Sequence, residues 1–205
     1  MTVIDEIKKF VRDFNLNLLT NENKISIDIS KRFNKRFVWR LPSRKLINSI
    51  IEYGGVLIGS KAIRCYQLNN KQLLDRRTND WDFVVTQSIA FKICEKFNID
   101  IIPGVDKVIS IKNQRYWRHP DYSDAYRVGP VDIQILIKEE LPDYVESKGI
   151  RISTLSQALN EKVKLIDELN DKCINTNSVS DERKELSKHI EDMARIIIRF
   201  NSELK

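Results

Sequence analysis

The chain has 205 residues, of which 41% are hydrophobic, and 35 Lys and Arg against 29 Asp and Glu give a formal net charge of +6. This apolar content supports a buried core and excludes a generally disordered chain. No apolar run approaches the ~20 residues of a membrane span, and Met1 to Phe14 mixes charged with apolar side chains, unlike a secretory signal. We therefore expect a cytoplasmic protein without membrane contact.

The cysteines and histidines are few and scattered. Cys65, Cys94 and Cys173 are far apart in the sequence, and the only histidines are His119 and His189. An odd, unpaired set of cysteines disfavours both a disulfide framework and a cysteine zinc site. Two distant histidines likewise disfavour a histidine-based metal centre or catalytic triad.

The N-terminal part of the chain begins with an amphipathic helix and continues into a basic segment. Apolar residues recur with helical spacing from Val3 to Phe14, which predicts the helix. From Lys31 to Lys45 the sequence holds seven basic residues and no acidic one, with Phe33, Phe37 and Trp39 between them. Two interpretations remain open: a helix with its aromatic side chains in the core and its bases in water, or a surface that follows a phosphate backbone and stacks on bases.

The middle of the chain alternates short apolar runs with helical patterns. Capping residues and hydrophobic periodicity predict the helices, and short apolar runs predict the strands. These elements are helix Ser43–Tyr53, strand Val56–Ile58, helix Lys61–Leu68, strand Trp81–Val85 and helix Ile89–Phe97. Strands interleaved with helices are typical of an α/β (α+β) fold.

The remainder of the chain contains further strands and then long helices. Strict alternation of apolar and polar positions predicts a strand over Val131–Ile137. The other expected elements are strands Ile99–Ile102 and Val108–Ile111, a loop or hairpin between Asn113 and Pro130, a linker around Pro142 and Gly149, and helices Ser153–Leu169 and Asp181–Phe200. The chain is thus predicted to have an α/β core with an N-terminal helix, residues 1–150, and a C-terminal helical piece, residues 151–205.

Two aspartates, Asp80 and Asp82, stand on either side of Trp81, just before an apolar run that begins at Phe83. Successive side chains of a strand point to opposite faces, so both carboxylates are expected on one face and both aromatic rings on the other. Two carboxylates side by side supply the hard oxygen ligands that Mg²⁺ prefers. The pattern therefore predicts a magnesium site that serves a phosphate chain.

A Gly-Ser pair and a third aspartate complete the predicted site. Gly59-Ser60 closes an apolar run and offers backbone N–H groups and a hydroxyl to phosphate oxygens. Asp132 opens a predicted strand on its polar side and would meet Asp80 and Asp82 if the two strands are neighbours. Each feature also has an ordinary interpretation, since Gly-Ser pairs end many strands and single aspartates commonly face solvent. The order, spacing and apolar flanks of all three favour the catalytic interpretation.

These motifs together, Gly59-Ser60, Asp80-Trp81-Asp82 and Asp132, resemble the defining pattern of the nucleotidyltransferase superfamily, which has a DNA polymerase β-like fold. The stretch from Arg77 to Asp82 is similar to the Arg-x-Ser/Thr-x-Asp-x-Asp form of AbiE-type toxin nucleotidyltransferases. In the C-terminal piece, Ala158-Leu159 followed by Lys162 or Lys164 resembles the Lys-bearing helix of that group, and Lys188 to Met193 resembles its Lys-Asp-x-x-Asp helix.

The resemblance implies a mixed sheet with flanking helices that binds an NTP substrate and Mg²⁺, with Mn²⁺ as an alternative metal. Asp80, Asp82 and Asp132 would be the catalytic metal ligands, and Asp132 would also help to activate the acceptor hydroxyl. Gly59 and Ser60 would hold the triphosphate. Lys164 or Lys188 would contact the nucleotide phosphates.

Three further basic residues join the predicted nucleotide-binding set. Lys61 directly follows Ser60, Arg64 lies one helical turn past Ser60, and Arg77 precedes the Asp-x-Asp motif. Their charges would neutralise phosphate oxygens. The alternative for Arg64 is an ordinary exposed helix arginine, and the alternative for Arg77 is a loop residue that aids solubility.

The predicted activity is the transfer of an NMP from an NTP to an acceptor hydroxyl or phosphate, with release of pyrophosphate. The basic net charge favours RNA, such as tRNA, as the acceptor, and a protein or a small molecule is the alternative. The AbiE-like features suggest a toxin–antitoxin setting, with an antitoxin or another regulatory protein as partner. Two other functions remain open: a non-catalytic nucleotide- or RNA-binding module on the same fold, and a sugar-nucleotide enzyme that uses only the Asp-x-Asp pair.

Overall fold

The computed structural model of the chain describes residues 2–16, 25–29, 43–76, 78, 81–97, 99–101, 109–111, 116–118, 125–128, 131–175 and 180–203. Within these ranges, strands and helices are interleaved up to residue 153 and two long helices come last. This order confirms the predicted mixed α/β class. Arg77, Asp80 and most of the basic segment Lys31–Lys45 lie outside the described residues.

The described elements agree in most places with the predicted ones, and the two long C-terminal helices are each longer than predicted. The helices are α1 (Val3–Leu16), α2 (Ser43–Glu52), α3 (Gly59–Ile63), α4 (Gln87–Phe97), α5 (Leu155–Asn175) and α6 (Ser180–Glu203). The strands are β1 (Ile25–Ile27), β2 (Val56–Ile58), β3 (Tyr66–Leu68), β4 (Lys71–Gln72), β5 (Trp81–Thr86), β6 (Ile99–Ile101), β7 (Ile109–Ile111), β8 (Tyr116–Arg118), β9 (Ala125–Val128), β10 (Val131–Lys138), β11 (Tyr144–Ser147) and β12 (Ile150–Ser153).

The chain divides into two compact units. The helical unit consists of Met1–Asp28, Ile63–Arg76 and Leu155–Lys205, and the sheet unit consists of Ile29–Ala62 and Arg77–Thr154. The N-terminal helix thus belongs with the C-terminal helices, whereas the sequence predicts it as part of the core. Aromatic packing gives the reason, because the Phe10 and Phe14 rings of α1 lie 5.6 and 5.2 Å from the Phe200 ring of α6.

The sheet unit is built on a seven-stranded mixed sheet with the order β11-β12-β2-β5-β10-β9-β8. The central strand β5 pairs antiparallel with β2 and parallel with β10. One face of these strands carries the buried residues Val56, Ile58 and Val84, against which Leu136 and Leu141 pack. Because β5 is hydrogen-bonded to a neighbour on each side, the side chains at its start project from a backbone that two strands hold in place.

A hairpin occupies the segment that the sequence predicts as a linker around Pro142 and Gly149, so this prediction is wrong. β11 pairs antiparallel with β12, and β12 pairs in turn with β2. Lys148 and Gly149 form the two-residue turn with φ values of 52° and 74°, as a type I′ hairpin turn requires. Burial of Ile150 and Ile152 explains why the segment joins the sheet.

The helical unit joins α1, α5 and α6 to a small sheet with the order β1-β3-β4. The predicted helix over Lys61–Leu68 is wrong in its second half, because α3 ends at Ile63 and β3 begins at Tyr66. Tyr66 and Leu68 are buried in β3, which pairs antiparallel with β1. The two asparagines after β3 take positive φ values, which closes the β3–β4 hairpin.

Candidate functional site

Gly59 and Asp82 lie against each other in the sheet unit. Ile58, the last residue of β2, pairs with Asp82 on β5. Gly59 has a φ of +68°, and a Cβ atom at this position would lie 2.6 Å from Oδ2 of Asp82. Only glycine combines this backbone conformation with so close an approach. The predicted Gly-Ser turn and the second aspartate of the Asp-x-Asp motif are therefore neighbours in space.

Asp82 and the two aromatic residues beside it in the sequence lie on opposite faces of β5. Trp81 and Phe83 are buried, and their rings stack with centroids 6.1 Å apart and an interplanar angle of 12°. Asp82 is only half-buried and alternates with them along β5. The predicted division of this strand, with aromatic rings on one face and the carboxylate on the other, is confirmed for Trp81, Asp82 and Phe83.

The strand that bears Asp132 lies next to the strand that bears Asp82. β10 runs parallel to β5, with Ile133 paired to Trp81 and Gln134 paired to Asp82. The backbone of Asp132 stands one position earlier and pairs with Arg127 of β9 on its other side. The strand neighbourhood on which the predicted three-carboxylate site depends is therefore confirmed. Asp80 and the side chain of Asp132 lie outside the described part of the structure.

Ser60 and Lys61 follow Gly59 in α3. Ser60 is half-buried. Lys61 is buried, and its ammonium nitrogen lies 4.0 Å from the centroid of the Trp81 ring. A cation over the face of a tryptophan is a favourable contact, and more so when it is desolvated. The contact with Trp81 thus fixes the position of the Lys61 ammonium. Lys61 belongs to the same unit as Gly59 and Asp82.

The other predicted phosphate ligands whose residues are described belong to the helical unit. Arg64 follows α3 and is half-buried. Lys164 of α5 is exposed, whereas Lys162, the alternative lysine on the same helix, is buried. Lys188 of α6 is half-buried, and its ammonium lies 2.8 Å from a carboxylate oxygen of Glu185.

A buried ionic network occupies the interior of the helical unit. Asp192 of α6 is fully buried and accepts hydrogen bonds from Arg76, with one from Nη2 at 2.6 Å. The Lys162 ammonium lies 2.8 Å from Oδ2 of Asp192. Burial lowers the pKa of Lys162, against the opposing effect of Asp192. Burial alone would raise the pKa of Asp192, but the hydrogen bond from Arg76 and the charge of Lys162 lower it.

His189 extends this network along α6. Its Nδ1 lies 3.0 Å from the Lys162 ammonium, and its Nε2 lies 3.2 Å from a carboxylate oxygen of Glu185. An ammonium can only donate, so Nδ1 accepts from Lys162 and Nε2–H donates to Glu185. Burial lowers the pKa of His189, which keeps the ring neutral. The hydrogen bond from His189 lowers the pKa of Glu185 to about 2.

The helical patterns of α5 and α6 contain a signal for this network that lies outside the motifs. Lys162 occupies a core-facing position of α5, between the buried Leu159 and Ile166. Asp192 likewise precedes the buried Met193 on the core-facing side of α6. Charged residues inside an apolar stripe are expected to pair with each other, because an unpaired buried charge is costly.

Asp82 provides one carboxylate, the type of ligand that a hard divalent cation prefers, and this carboxylate lies directly against the backbone of Gly59. Among the residues that the structure describes, no group of three or more His, Cys, Asp or Glu side chains is placed to hold a metal ion. Of the three predicted metal ligands, the side chain of Asp82 alone is described.

Comparisons with known proteins give little beyond this geometry. No protein-family model and no curated protein matches the sequence. Among solved structures, the chain is similar to the crystal structure of ANT(2'')-Ia in complex with adenylyl-2''-tobramycin, with 12% sequence identity and a TM-score of 0.35 over 78% of this chain and 95% of that chain. In the described residues, no helix is both long and apolar enough to cross a membrane.

Proposed function

We propose that the chain is a metal-dependent nucleotidyltransferase that moves an NMP from an NTP to an acceptor. An oxygen of the acceptor attacks the α-phosphorus, and the bond from this phosphorus to the bridging oxygen of the β-phosphate breaks. Pyrophosphate leaves with that oxygen. Such a reaction depends mostly on positioning and on neutralising phosphate charge.

The observation that supports this proposal best is that two motifs meet where β2 ends and β5 begins. The backbone of Gly59 approaches Asp82 so closely that a Cβ atom would lie 2.6 Å from its carboxylate oxygen. β10 pairs in parallel with β5, so the backbone of Asp132 lies on the strand next to that of Asp82. A carboxylate and a strand-closing Gly-Ser turn at one place suit a phosphate chain and its counter-cation.

In this proposal Asp80, Asp82 and Asp132 are the metal ligands, and Asp132 also draws the proton from the acceptor. Bound Mg²⁺ or Mn²⁺ would supply charge for the phosphate oxygens and lower the pKa of the attacking hydroxyl. Gly59 and Ser60 hold the triphosphate. β5 pairs with both β2 and β10, and this pairing fixes the backbone from which the carboxylate of Asp82 projects.

The remaining nucleotide ligands of the proposal are basic side chains. They are Lys61, Arg64, Arg77, Lys164 and Lys188. Lys164 is exposed and Lys188 half-buried, so solvent-borne phosphate can reach both. A net charge of +6 supports RNA, such as tRNA, as the acceptor. We further propose that an antitoxin or another regulatory protein restrains the activity in the cell.

Incubation with each α-³²P-labelled NTP, Mg²⁺ and total RNA tests this function. Asp82→Asn removes one metal-binding charge at nearly constant shape. Asp143→Asn is the matched control, because Asp143 belongs to the same unit and is exposed. We expect the wild-type protein and Asp143→Asn to label a macromolecule, and Asp82→Asn to label none.

The pattern of label identifies the acceptor class. Label on RNA would support an RNA acceptor. Label on a protein or on a small molecule would make that molecule the acceptor and would still support a nucleotidyltransferase. Equal labelling by Asp82→Asn would contradict the proposed site. If no NTP is consumed and none binds in the presence of Mg²⁺, the transferase proposal itself is wrong.

A further inference from the structure

An open groove lies on the surface of the helical unit, between the end of α5 and the first half of α6, and has a volume of about 400 Å³. Its apolar lining includes Ile174 of α5 and Leu186 and Ile190 of α6. Ile174 is 72% exposed, the largest exposure among the large hydrophobic residues described. The lining is mostly apolar and open to water, so the groove can receive apolar side chains of a partner surface.

Two opposite charges line the same groove at equal distances from a small residue. Arg183 lies four residues before Ser187 and Glu191 lies four residues after it, and all three line the groove. Among the described residues, neither Arg183 nor Glu191 has an ion-pair partner. A second α6 running antiparallel across Ser187 would place each arginine opposite the other copy's glutamate. The surface is therefore complementary to itself, as a two-fold interface requires.

The apolar stripe continues along α6 beyond the groove. Ile198 stands eleven residues, or about three turns, after Ser187, which puts both residues on one face of the helix. Ile198 is 66% exposed. In the antiparallel arrangement, Ile198 of each copy points toward the end of the other copy's groove, where Ile174 is exposed. The small side chain of Ser187 at the centre lets the two helices approach closely.

We propose that the chain forms a homodimer in which α6 packs antiparallel against α6 of a second copy. The two-fold axis passes at Ser187, and two ion pairs join Arg183 of each copy to Glu191 of the other. Opposite charges placed symmetrically about one residue select a second copy of this chain, because a foreign helix gains nothing from the symmetry.

Sedimentation equilibrium of the full chain tests the charge arrangement. Arg183→Glu makes both cross-copy pairs repulsive and should weaken dimerisation by about tenfold or more. The double variant Arg183→Glu/Glu191→Arg restores opposite charges and should dimerise like the wild type. Lys9→Glu on α1 is the matched control, since it makes the same charge change at an exposed site on another helix of this unit.

Disulfide trapping tests the position of the axis. A pair of residues on a two-fold axis approaches within disulfide distance, so Ser187→Cys in a Cys173→Ser background should cross-link two copies under mild oxidation. Glu168→Cys in the same background is exposed on α5 away from the groove and should not cross-link. Cys65 and Cys94 are buried and do not interfere.

Three results would overturn the proposal. The first is a monomer at concentrations up to about 0.5 mM, which leaves the groove to a different protein. The second is a dimer whose affinity Arg183→Glu does not change. The third is cross-linking through Ser187→Cys that is no faster than through Glu168→Cys.

Discussion

Asp82 in the sheet unit and Asp192 in the helical unit are the same residue type in opposite surroundings. Asp192 is fully buried, and Arg76 and Lys162 hold its carboxylate. Asp82 is half-buried near the start of β5, in close contact with the backbone of Gly59. Removing the carboxylate of Asp192 would leave buried cations unpaired, whereas the half-buried carboxylate of Asp82 is the one proposed to bind a metal ion.

This contrast distinguishes two roles of charged residues, ligand binding and structural support, that sequence motifs alone do not distinguish. The motif resemblance assigns Lys188 and its helix to the nucleotide, yet in the structure the same helix carries the buried Asp192. A buried ion pair is costly to desolvate, and removing one member leaves the other charge buried alone. We therefore expect changes at Asp82 to affect activity and changes at Asp192 to affect stability.

The largest expected effect is on the rate of nucleotidyl transfer. Asp82→Asn and Asp132→Asn should each lower the rate by about 10²–10³-fold, because each removes a charge that the proposed metal site needs. Residues that act as one unit are not additive, so the double variant should lose little more than either single variant. Initial rates of label transfer measure this, with chemical denaturation to confirm that the variants fold. Independent, multiplying losses would contradict a shared site.

The next effect is on stability. Asp192→Asn leaves Arg76 and Lys162 without their anion and should lower the free energy of unfolding by about 3–5 kcal/mol. The matched control is Asp167→Asn, which breaks the ion pair of Asp167 with Lys8 at 2.8 Å between largely exposed side chains. Exposed pairs contribute little, so this control should unfold like the wild type in urea. Equal losses in both variants would refute the structural role of Asp192.

A glycine pair in the sheet unit separates backbone strain from crowding of the carboxylate. Gly59 and Gly149 both have positive φ values, +68° and +74°, but a Cβ atom at Gly149 would meet nothing within 4 Å. Gly149→Ala should therefore lower the free energy of unfolding by about 1–2 kcal/mol, from backbone strain alone. Gly59→Ala adds a clash with Asp82, so it should lower the free energy of unfolding by about 2–4 kcal/mol in total and also abolish transfer activity. Urea unfolding and label transfer on both variants test this, and similar values for the two would remove the argument for close approach.

The smallest effect is a pH dependence of stability that comes from His189. Its pKa is lowered from the ordinary value of 6.5 by burial, so the unfolded chain binds more protons than the folded chain just below pH 6.5. Stability should therefore fall as the pH drops from 6.5 through the folded-state pKa. The charges that face the ring are those of Lys162 on α5 and of Glu185 and Lys188 on α6.

His189→Asn should flatten this part of the profile, because its side-chain oxygen can still accept from Lys162 without taking up a proton. Unfolding in urea between pH 7 and pH 5 measures the slope. Glu185 titrates in a lower range: in the wild type the hydrogen bond from His189 lowers its pKa to about 2, so the stability it contributes is lost as the pH falls from 4.5 toward 2, below the range of this measurement. A slope above pH 5 that persists in His189→Asn would place the titration elsewhere.

The sequence predicts the strands of the site well because their signals are local. β2 and β5 are short apolar runs, and β10 alternates strictly, so pattern alone identifies all three. Which of these strands lie next to each other is a non-local property, so no local pattern contains it. The structure shows it in the parallel pairing of β10 with β5. The assignment of roles to Asp80 and to the side chain of Asp132 stays a prediction.

Two segments show where local signals mislead. Pro142 and Gly149 predict a linker, but buried isoleucines and a two-residue turn make the β11–β12 hairpin. The residues after Ile63 look helical, but pairing with β1 draws Tyr66 and its neighbours into a strand. In both places tertiary burial decides over propensity, as is common for short segments.

Titration calorimetry of an NTP with and without Mg²⁺, on the wild-type protein and on Asp82→Asn, tests the proposed role of Asp82 most directly. We predict that Mg²⁺ strengthens NTP binding to the wild type and that Asp82→Asn abolishes this gain while keeping the fold. NTP binding that is indifferent to Mg²⁺, or a Mg²⁺ effect that survives in Asp82→Asn, would contradict the assignment of Asp82 to a metal–nucleotide site.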